Sequence, residues 1–492
     1  MPVNTQHPEY KAMLPKWERC RDVASGVDAV HAAGEKYLSK LKSQPQSDYD
    51  VYRLRTVFYN ATWRTIAGLV GMLFRKPPTI EVPPSVEPLL EDVDGAGQPL
   101  QLFVQDVAEN ALTVGRVGIL VDYPRMPEGL TQADALRLNV RPSLQLFRAE
   151  AIINWKTGRV ENETVLTQAV LKEEIEEAVP KDEFATKVVD QWRVLDLFNG
   201  FYRQRLYRLK GSAPIGAQAF DQFGPDIIPT MNGAPLSYIP FVIMGTDDIS
   251  VDVDDPPLID LVDMNLSHYR TTAIYEQCIA FSPPTLLLRG FTVPEGEKVY
   301  VGSGTAIVQT SPDADGKFIE YSGAGLAPLE SALNRKEQQM AVLGARMLEP
   351  QKLAAETALT TTIHRKGEES LLASIAQAIS LGMEVALRWF TEWAGADPKG
   401  VHFELNRDFY PAPMTPGMLS ALLAGWQAGA PGLSDQGLFE QLQAGEIINQ
   451  DTTLEEEQAR IATRQQQYAE QQAALQAQFA PPLETNSANE GA

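Results

Sequence analysis

Cysteine is nearly absent from this 492-residue sequence: Cys20 and Cys278 stand far apart and are the only two. That excludes a disulfide framework and makes a reducing cytoplasm the expected compartment. Histidine is scarce too, at five (His7, His31, His268, His364, His402), so no His/Cys zinc pattern can be drawn. Positive charge is in short supply: 42 Lys and Arg face 64 Asp and Glu, a formal net charge of −22. Tight binding of nucleic acid uses an excess of cations to displace counterions, so a tight grip is excluded while passage of nucleic acid along an acidic wall is not. The most apolar run near the start, Ile66–Phe74, is too short to span a bilayer, so no membrane role is expected. The opening MPVNTQHPEYK lacks the apolar core of a secretory signal.

Motifs of chemistry are missing as well. Gly302-Ser303-Gly304 lacks the third glycine and the following helix of a dinucleotide site. Ser311, Asp313, Asp315 and Gly316 open like an EF-hand loop, but Ser322 stands where the bidentate Glu is needed, and a hairpin turn is the better reading. Asp247, Asp248, Asp252, Asp254 and Asp255 suit caps in a solvated loop better than a cation site between subunits. His402 and Glu404 share one face of an expected strand and read as a satisfied pair. No catalytic residue, cofactor or metal site is expected, and no enzyme mechanism is supported.

What is present is an ordinary folded composition, 44% hydrophobic and 22% charged, long enough for roughly three average domains. Residues 1–47 read as broken helix, with Trp17, Cys20, Val23, Val30, Tyr37, Leu38 and Leu41 inward. Tyr49–Phe74 reads as one helix burying Tyr52, Val57, Ala61, Ile66, Val70 and Leu73, ended by Pro77 and Pro78. Leu100–Val114 is a helix with Leu102, Phe103, Val107 and Leu112 inward, stopped by Gly115. Val117–Val121 is a buried strand, and strands are expected over Arg141–Phe147, within Glu163–Leu209 and over Ile239–Met244. The acidic run Glu173–Glu183 reads as a solvated hairpin tip.

The chain is organised around Pro256–Trp393. Leu258, Val262, Leu266, Tyr269 and Ala273 set one apolar helix face, which must stop before Pro283 and Pro284. A glycine- and β-branched-rich excursion follows over Thr285–Ser322, then a helix over Leu326–Leu348. A long helix to Trp393 carries Leu372, Ile375, Ala376, Ile379, Met383, Leu387 and Phe390, with a reach of roughly 60 Å. Val401–Phe409 reads as strand, and Met414–Ala428 and Ser434–Ala444 as short helices. Thr452–Phe479 is a Gln/Glu/Ala-rich helix whose seam of Leu454, Ile461, Tyr468 and Leu475 suits one narrow contact. A disordered tail follows Pro481.

Four stretches carry a resemblance: Tyr59-Asn60-Ala61-Thr62-Trp63-Arg64-Thr65 with Gly71–Pro78, Gly115–Pro124, Ile152–Trp155, and Leu343–Leu348. In this order, over roughly residues 45–410, the chain resembles the portal proteins of tailed bacteriophages, specifically the portal-like family once catalogued as a domain of unknown function. The resemblance implies an α+β portal fold with wing, stem helices, β-rich clip, long backbone helix and helical crown. Its divisions fall at residues 1–255 (wing), 256–284 (first stem helix), 285–325 (clip), 326–348 (second stem helix), 349–360 (tunnel loop), 361–413 (long wing helix and strand), 414–480 (crown) and 481–492 (tail).

The resemblance further implies a homo-oligomeric ring, typically of about twelve subunits, at the capsid vertex of a virion assembled in the host cytoplasm. The ring is the channel for double-stranded DNA during packaging and ejection. Expected partners are the terminase large subunit, a head-tail adaptor, and the major capsid and scaffold proteins. Arg335, Lys336, Arg346, Glu349, Gln351 and Lys352 are placed toward the channel; pairing of the basic ones with acids of neighbouring subunits is the competing reading. A monomeric scaffold or adaptor of the phage head, and a metal-dependent capsid-associated hydrolase, are the alternative functions.

Overall fold

The structure, a computed structural model, describes residues 2–40, 42–124, 140–160, 162–179, 182–210, 219–231, 233–280, 285–290, 313–319, 323, 325–346, 370–409, 414–429, 434–445, 447–448 and 452–478. Gly302–Gly304, Ser311, Glu349, Gln351, Lys352, His364, the expected tunnel loop and the tail after Pro481 lie outside the described residues. The chain divides into two compact units, Met1–Arg407 and Asp408–Ala492, rather than three domains.

In the first unit, helix α1 (Pro8–Ser25) buries Trp17, Cys20 and Val23 on one face. Gly26, at φ 99°, ends it in a conformation open to glycine, and the short α2 (Val27–Ala33) follows. The helix expected over Tyr49–Phe74 is two helices, α3 (Gln46–Arg55) and α4 (Ala61–Leu73). Thr56 turns extended at the end of α3, and Asn60 caps α4 by accepting from the Trp63 N–H at 2.9 Å. The Asn60 amide also donates to the Ala24 carbonyl at 3.0 Å, so the break is tied to α1. Val57, expected inside a continuous helix, falls in the break and is exposed.

Strand β1 (Thr79–Glu81) leads on to α5 (Leu100–Val114), which has the expected bounds and ends on Gly115 at φ 76°. Phe103, Val107 and Leu112 are buried, but Leu102 faces out: its neighbours Phe103 and Val104 take the inward positions. The buried β2 (Val117–Asp122) pairs antiparallel with β3 (Ser143–Arg148) on one side. A five-stranded antiparallel meander follows: β4 (Ile152–Val160), β5 (Glu163–Ala178), β6 (Thr186–Phe198), β7 (Phe201–Leu209) and β8 (Phe220–Gln222). Its alternation predicts this pairing well. The acidic run does lie at a hairpin end, with Asp182 and Glu183 exposed just before β6, but its first part, Glu173–Ala178, is strand β5. There Glu173 accepts from Arg193 at 2.6 Å and from Gln191 at 2.9 Å, and Glu177 pairs with Arg208 and Lys187.

A small hairpin, β9 (Thr230–Met231) and β10 (Ala234–Pro235), precedes β11 (Phe241–Met244), which closes the other side of β2. The sheet order β11-β2-β3 forms the floor of the core. Helix α6 (Ile259–Ala280) leaves this core, followed by the antiparallel pair β12 (Thr285–Arg289) and β13 (Asp315–Ile319), then α7 (Leu326–Ala345). Asp315 and Gly316 therefore stand in a strand opposite Arg289 and Leu288, not in a hairpin turn.

Helix α8 (Leu371–Trp393) lies against β2, β3, β11 and α5, and buries the whole expected stripe from Leu372 to Phe390. Ser370 caps it, accepting from the Ala373 N–H at 3.2 Å, so its 23 residues span about 34 Å. The roughly 60 Å strut is not formed. By length and composition α8 is apolar enough to cross a membrane, but its apolar face is core. The strand expected over Val401–Phe409 shortens to β14 (His402–Glu404), paired with β1.

The second unit holds α9 (Pro416–Gln427), α10 (Asp435–Ala444) and α11 (Leu454–Gln478). Thr415 and Ser434 cap the first two, and Thr453 with Glu456 forms a reciprocal capping box on the third. Trp426 donates its indole N–H to Asp435 at 2.9 Å. On α11, Ile461 and Tyr468 are exposed.

Candidate functional site: a two-helix arm and its root

The helix face Val262, Leu266, Tyr269 and Ala273 is buried as its spacing requires. Asn265 lies on that face and is fully buried. Its side-chain oxygen accepts from the Thr62 N–H at 3.1 Å and the Thr62 hydroxyl at 3.0 Å, and its amide donates to the Tyr59 carbonyl at 2.8 Å. One amide thus satisfies an orphan donor of the first turn of α4 and a carbonyl just before it. Tyr269 sits edge-on to Phe58 at 5.7 Å, and Arg270 donates to the Tyr37 carbonyl at 2.9 Å.

The stretches that carry the resemblance converge here. In Tyr59–Thr65, Asn60 caps, Tyr59 and Thr62 hold Asn265, and Thr65 abuts Gly344 of α7, where an added Cβ would stand 3.1 Å from its methyl. Gly115 packs on the chain leading into α6: a Cβ there would meet the Asp255 carbonyl at 3.0 Å. The fully buried Arg116 donates to the carbonyls of Val251 (2.9 Å) and Asp252 (2.7 Å) and lies 4.3 Å over the Trp155 ring. Burial, which disfavours the charged guanidinium, brings its pKa down to about 10. Trp155 in turn stacks on His7 at 4.1 Å. Sequence reasoning singled out these residues without their role. The signal for Asn265 was a polar residue at an inward position between Val262 and Tyr269.

The acidic loop is explained by caps. Asp254 accepts from the Thr246 N–H and hydroxyl, both at 2.8 Å, Asp248 from the Ser250 N–H at 2.8 Å, and Asp255 pairs with Lys16. Among the described residues no group of three His, Cys, Asp or Glu side chains converges as a metal site. His402 is likewise engaged, 2.8 Å from Glu384 and 3.8 Å from Glu404.

Beyond its root the arm opens. Helix α7 packs along α6, with Met340 its one buried apolar residue among those described. Lys336 turns to α6, donating to the Ser267 carbonyl at 2.9 Å and the Thr271 hydroxyl at 2.6 Å. Burial, then Arg335 and Arg270, push its pKa down. His268 meets Glu337 at 3.2 Å; burial lowers its pKa more than Glu337 raises it. Arg335 and Arg346 are exposed and share a groove with Met264, Gln338, Val342 and Leu343. Eleven residues apart, they are separated by about 16 Å along the helix. Of the six residues placed toward the channel, then, Arg335 and Arg346 share one open surface, Lys336 is taken up by α6, and Glu349, Gln351 and Lys352 lie outside the described residues. Ile274, Ile279, Leu287, Phe318, Ile319 and Val342 leave apolar area exposed along the arm.

Residues 257–394 match the model of the family described as "Domain of unknown function (DUF4055)", which spans this arm and α8. That agrees with the resemblance to the portal-like family once catalogued in those words. No curated protein matches the chain. Among solved structures, one described as the neck of an empty GTA particle computed with C6 symmetry is 14% identical, at a TM-score of 0.37, covering 84% of this chain and 97% of that one. Another, described as the neck of a native GTA particle computed with C12 symmetry, is 13% identical, also at 0.37, covering 85% and 98%. A third, the virion of a native gene transfer agent (GTA) particle, is 13% identical at 0.36, covering 86% and 99%.

Proposed function

We propose that this chain is the repeating subunit of a phage portal: a non-enzymatic ring of about twelve copies at the capsid vertex of a virion, through which double-stranded DNA is packaged and ejected. In this reading the terminase large subunit and the head-tail adaptor dock on the ring, and the major capsid and scaffold proteins surround it. The observation that carries the reading is the arm. Its root is rigidly tied to the core through Asn265, while among the described residues β12 and β13 pack chiefly on each other. A lone two-stranded ribbon is marginal in water, and its open edges invite pairing. Heterologous contacts that close into a ring would cover those edges and the exposed apolar residues of every copy.

The electrostatics suit a conduit rather than a clamp. With a net charge of −22 the chain as a whole repels phosphates, and isolated cations such as Arg335 and Arg346 would damp that repulsion without holding one register. The test is the native mass of the purified protein, with negative-stain images of the same sample. Rings with a central hole are expected. A monomer persisting at high concentration would overturn the proposal in favour of a scaffold or adaptor.

A further inference from the structure

The β5–β6 hairpin runs past both of its sheet neighbours. β4 pairs no further along β5 than Leu171, and β7 no further along β6 than Gln191. Among the described residues, Glu174–Ala178 and Thr186–Asp190 therefore form a ribbon with no third strand. One of its faces sets Glu174 opposite Asp190 and Glu176 opposite Val188, with Glu174, Glu176 and Val188 exposed. Like charges directly opposite oppose strand pairing, and here Lys172, 3.1 Å from Asp190, partly offsets them. At the tip, Phe184 is 90% exposed. Between Lys172 and Asp190 the sequence has seven acidic and three basic residues.

The corner where α3 meets α4 has the opposite character. Val51, Leu54, Val57 and Trp63 are 53, 67, 61 and 41% exposed, a cluster of large apolar side chains within thirteen residues of sequence. Arg55 and Arg64 are exposed among them. Between Lys40 and Arg64 there are five basic residues and two acidic ones, in a chain that is acidic as a whole. Apolar surface with Trp and Arg is what the energetic centres of interfaces are made of.

We propose that the acidic, Phe184-tipped ribbon of one copy docks on the basic α3–α4 corner of the next copy. The inference rests on the ring reading above and assigns one of the ring's contacts. The two patches differ, so the contact is heterologous, as a closing ring requires. Phe184 supplies the anchor to Leu54, Val57 and Trp63, while Glu174 and Glu176 face Arg55 and Arg64 and set the register.

The test uses the full chain with a benzophenone amino acid at Phe184, assembled from a mixture of isotope-labelled and unlabelled copies and irradiated. Cross-links from residue 184 to residues 51–63 of another copy are expected. Cross-links within one copy, elsewhere, or none at all would overturn the contact. In parallel, Glu174→Lys with Glu176→Lys should raise the concentration needed for assembly about tenfold, and Arg55→Glu with Arg64→Glu should restore it. Assembly unaffected by the first pair would overturn the contact and leave the ring standing. A wild-type chain that stays monomeric would overturn both.

Discussion

Replacing Asn265 by Ala tests the root of the arm directly. The residue is fully buried and makes three hydrogen bonds, so the substitution strands the Thr62 N–H and the Thr62 hydroxyl, whereas the Tyr59 carbonyl keeps the Ala61 N–H at 2.9 Å. A buried group left unsatisfied costs about 1–3 kcal/mol. The hydroxyl can rotate toward another acceptor and the Tyr59 carbonyl keeps a donor, so the Thr62 N–H bears most of the cost, and the loss should be about 2 kcal/mol. Asn265→Asp should be worse, since a buried carboxylate would face the Tyr59 carbonyl where an amide donor now stands. Urea unfolding reads the loss as a lower midpoint at unchanged slope. Hydrogen exchange should place it in the first turn of α4 and in α6. Thr62→Val combined with Asn265→Ala should cost less than the sum, by about 1 kcal/mol. A loss under about 0.5 kcal/mol, or unchanged exchange at Thr62, would refute the assignment of Asn265 as the tie.

Other outcomes follow from neighbouring residues. Gly115→Ala combines a φ of 76° with a Cβ 3.0 Å from the Asp255 carbonyl, and should cost about 2 kcal/mol, read as a lower thermal midpoint. His268 has a folded pKa below its ordinary 6.5, so its neutral form favours the fold above pH 6.5 and that contribution is lost as pH falls through the lowered value. Protection of α7 amides, taken relative to their intrinsic exchange at each pH, should therefore fall on acidification from pH 7 to below 6, and His268→Gln should flatten that dependence. Arg335→Glu with Arg346→Glu should leave rings intact by mass and images while reducing packaged DNA; unimpaired packaging would remove both from the channel wall.

Much of this architecture was legible because its signals are local. Helix Leu100–Val114 announces itself by a 3.6-residue period and a glycine stop, and β2 by five apolar residues in a row. The misreadings have non-local causes. Nothing in Thr56–Tyr59 forbids helix; the break is secured by Asn60 reaching Ala24 and by Asn265 two hundred residues on. The first part of the acidic run reads as hairpin tip until Arg193 and Arg208, from other strands, pair with Glu173 and Glu177 and hold it as β5. Lys336 reads as a surface cation on α7, yet α6 places the Ser267 carbonyl and Thr271 hydroxyl beside it. In each case the deciding partner is far away in sequence, where periodicity carries no information.

The same partners explain why the family match and the motif residues fall on two ends of one mechanical element. Residues 257–394 contain the arm and α8, whereas Tyr59–Thr65 and Gly115-Arg116 lie outside that stretch and hold its root. Asn265, Arg116 and Gly115 are costly choices for a helix root whose end needs no aim. Asn265 puts an amide in an apolar face, Arg116 buries a cation on two carbonyls and the Trp155 ring, and Gly115 spends backbone entropy. Such choices make sense where the direction of α6 must be held against load. In the proposed ring, the exposed apolar side chains farther out, Ile279, Phe318 and Val342 among them, would meet their partners at a set position rather than wherever a loose arm swings. Precision at the root and unsatisfied surface along the arm are complementary demands, and the proposed closed ring of identical copies would impose both, since an angular error at one contact repeats at every other.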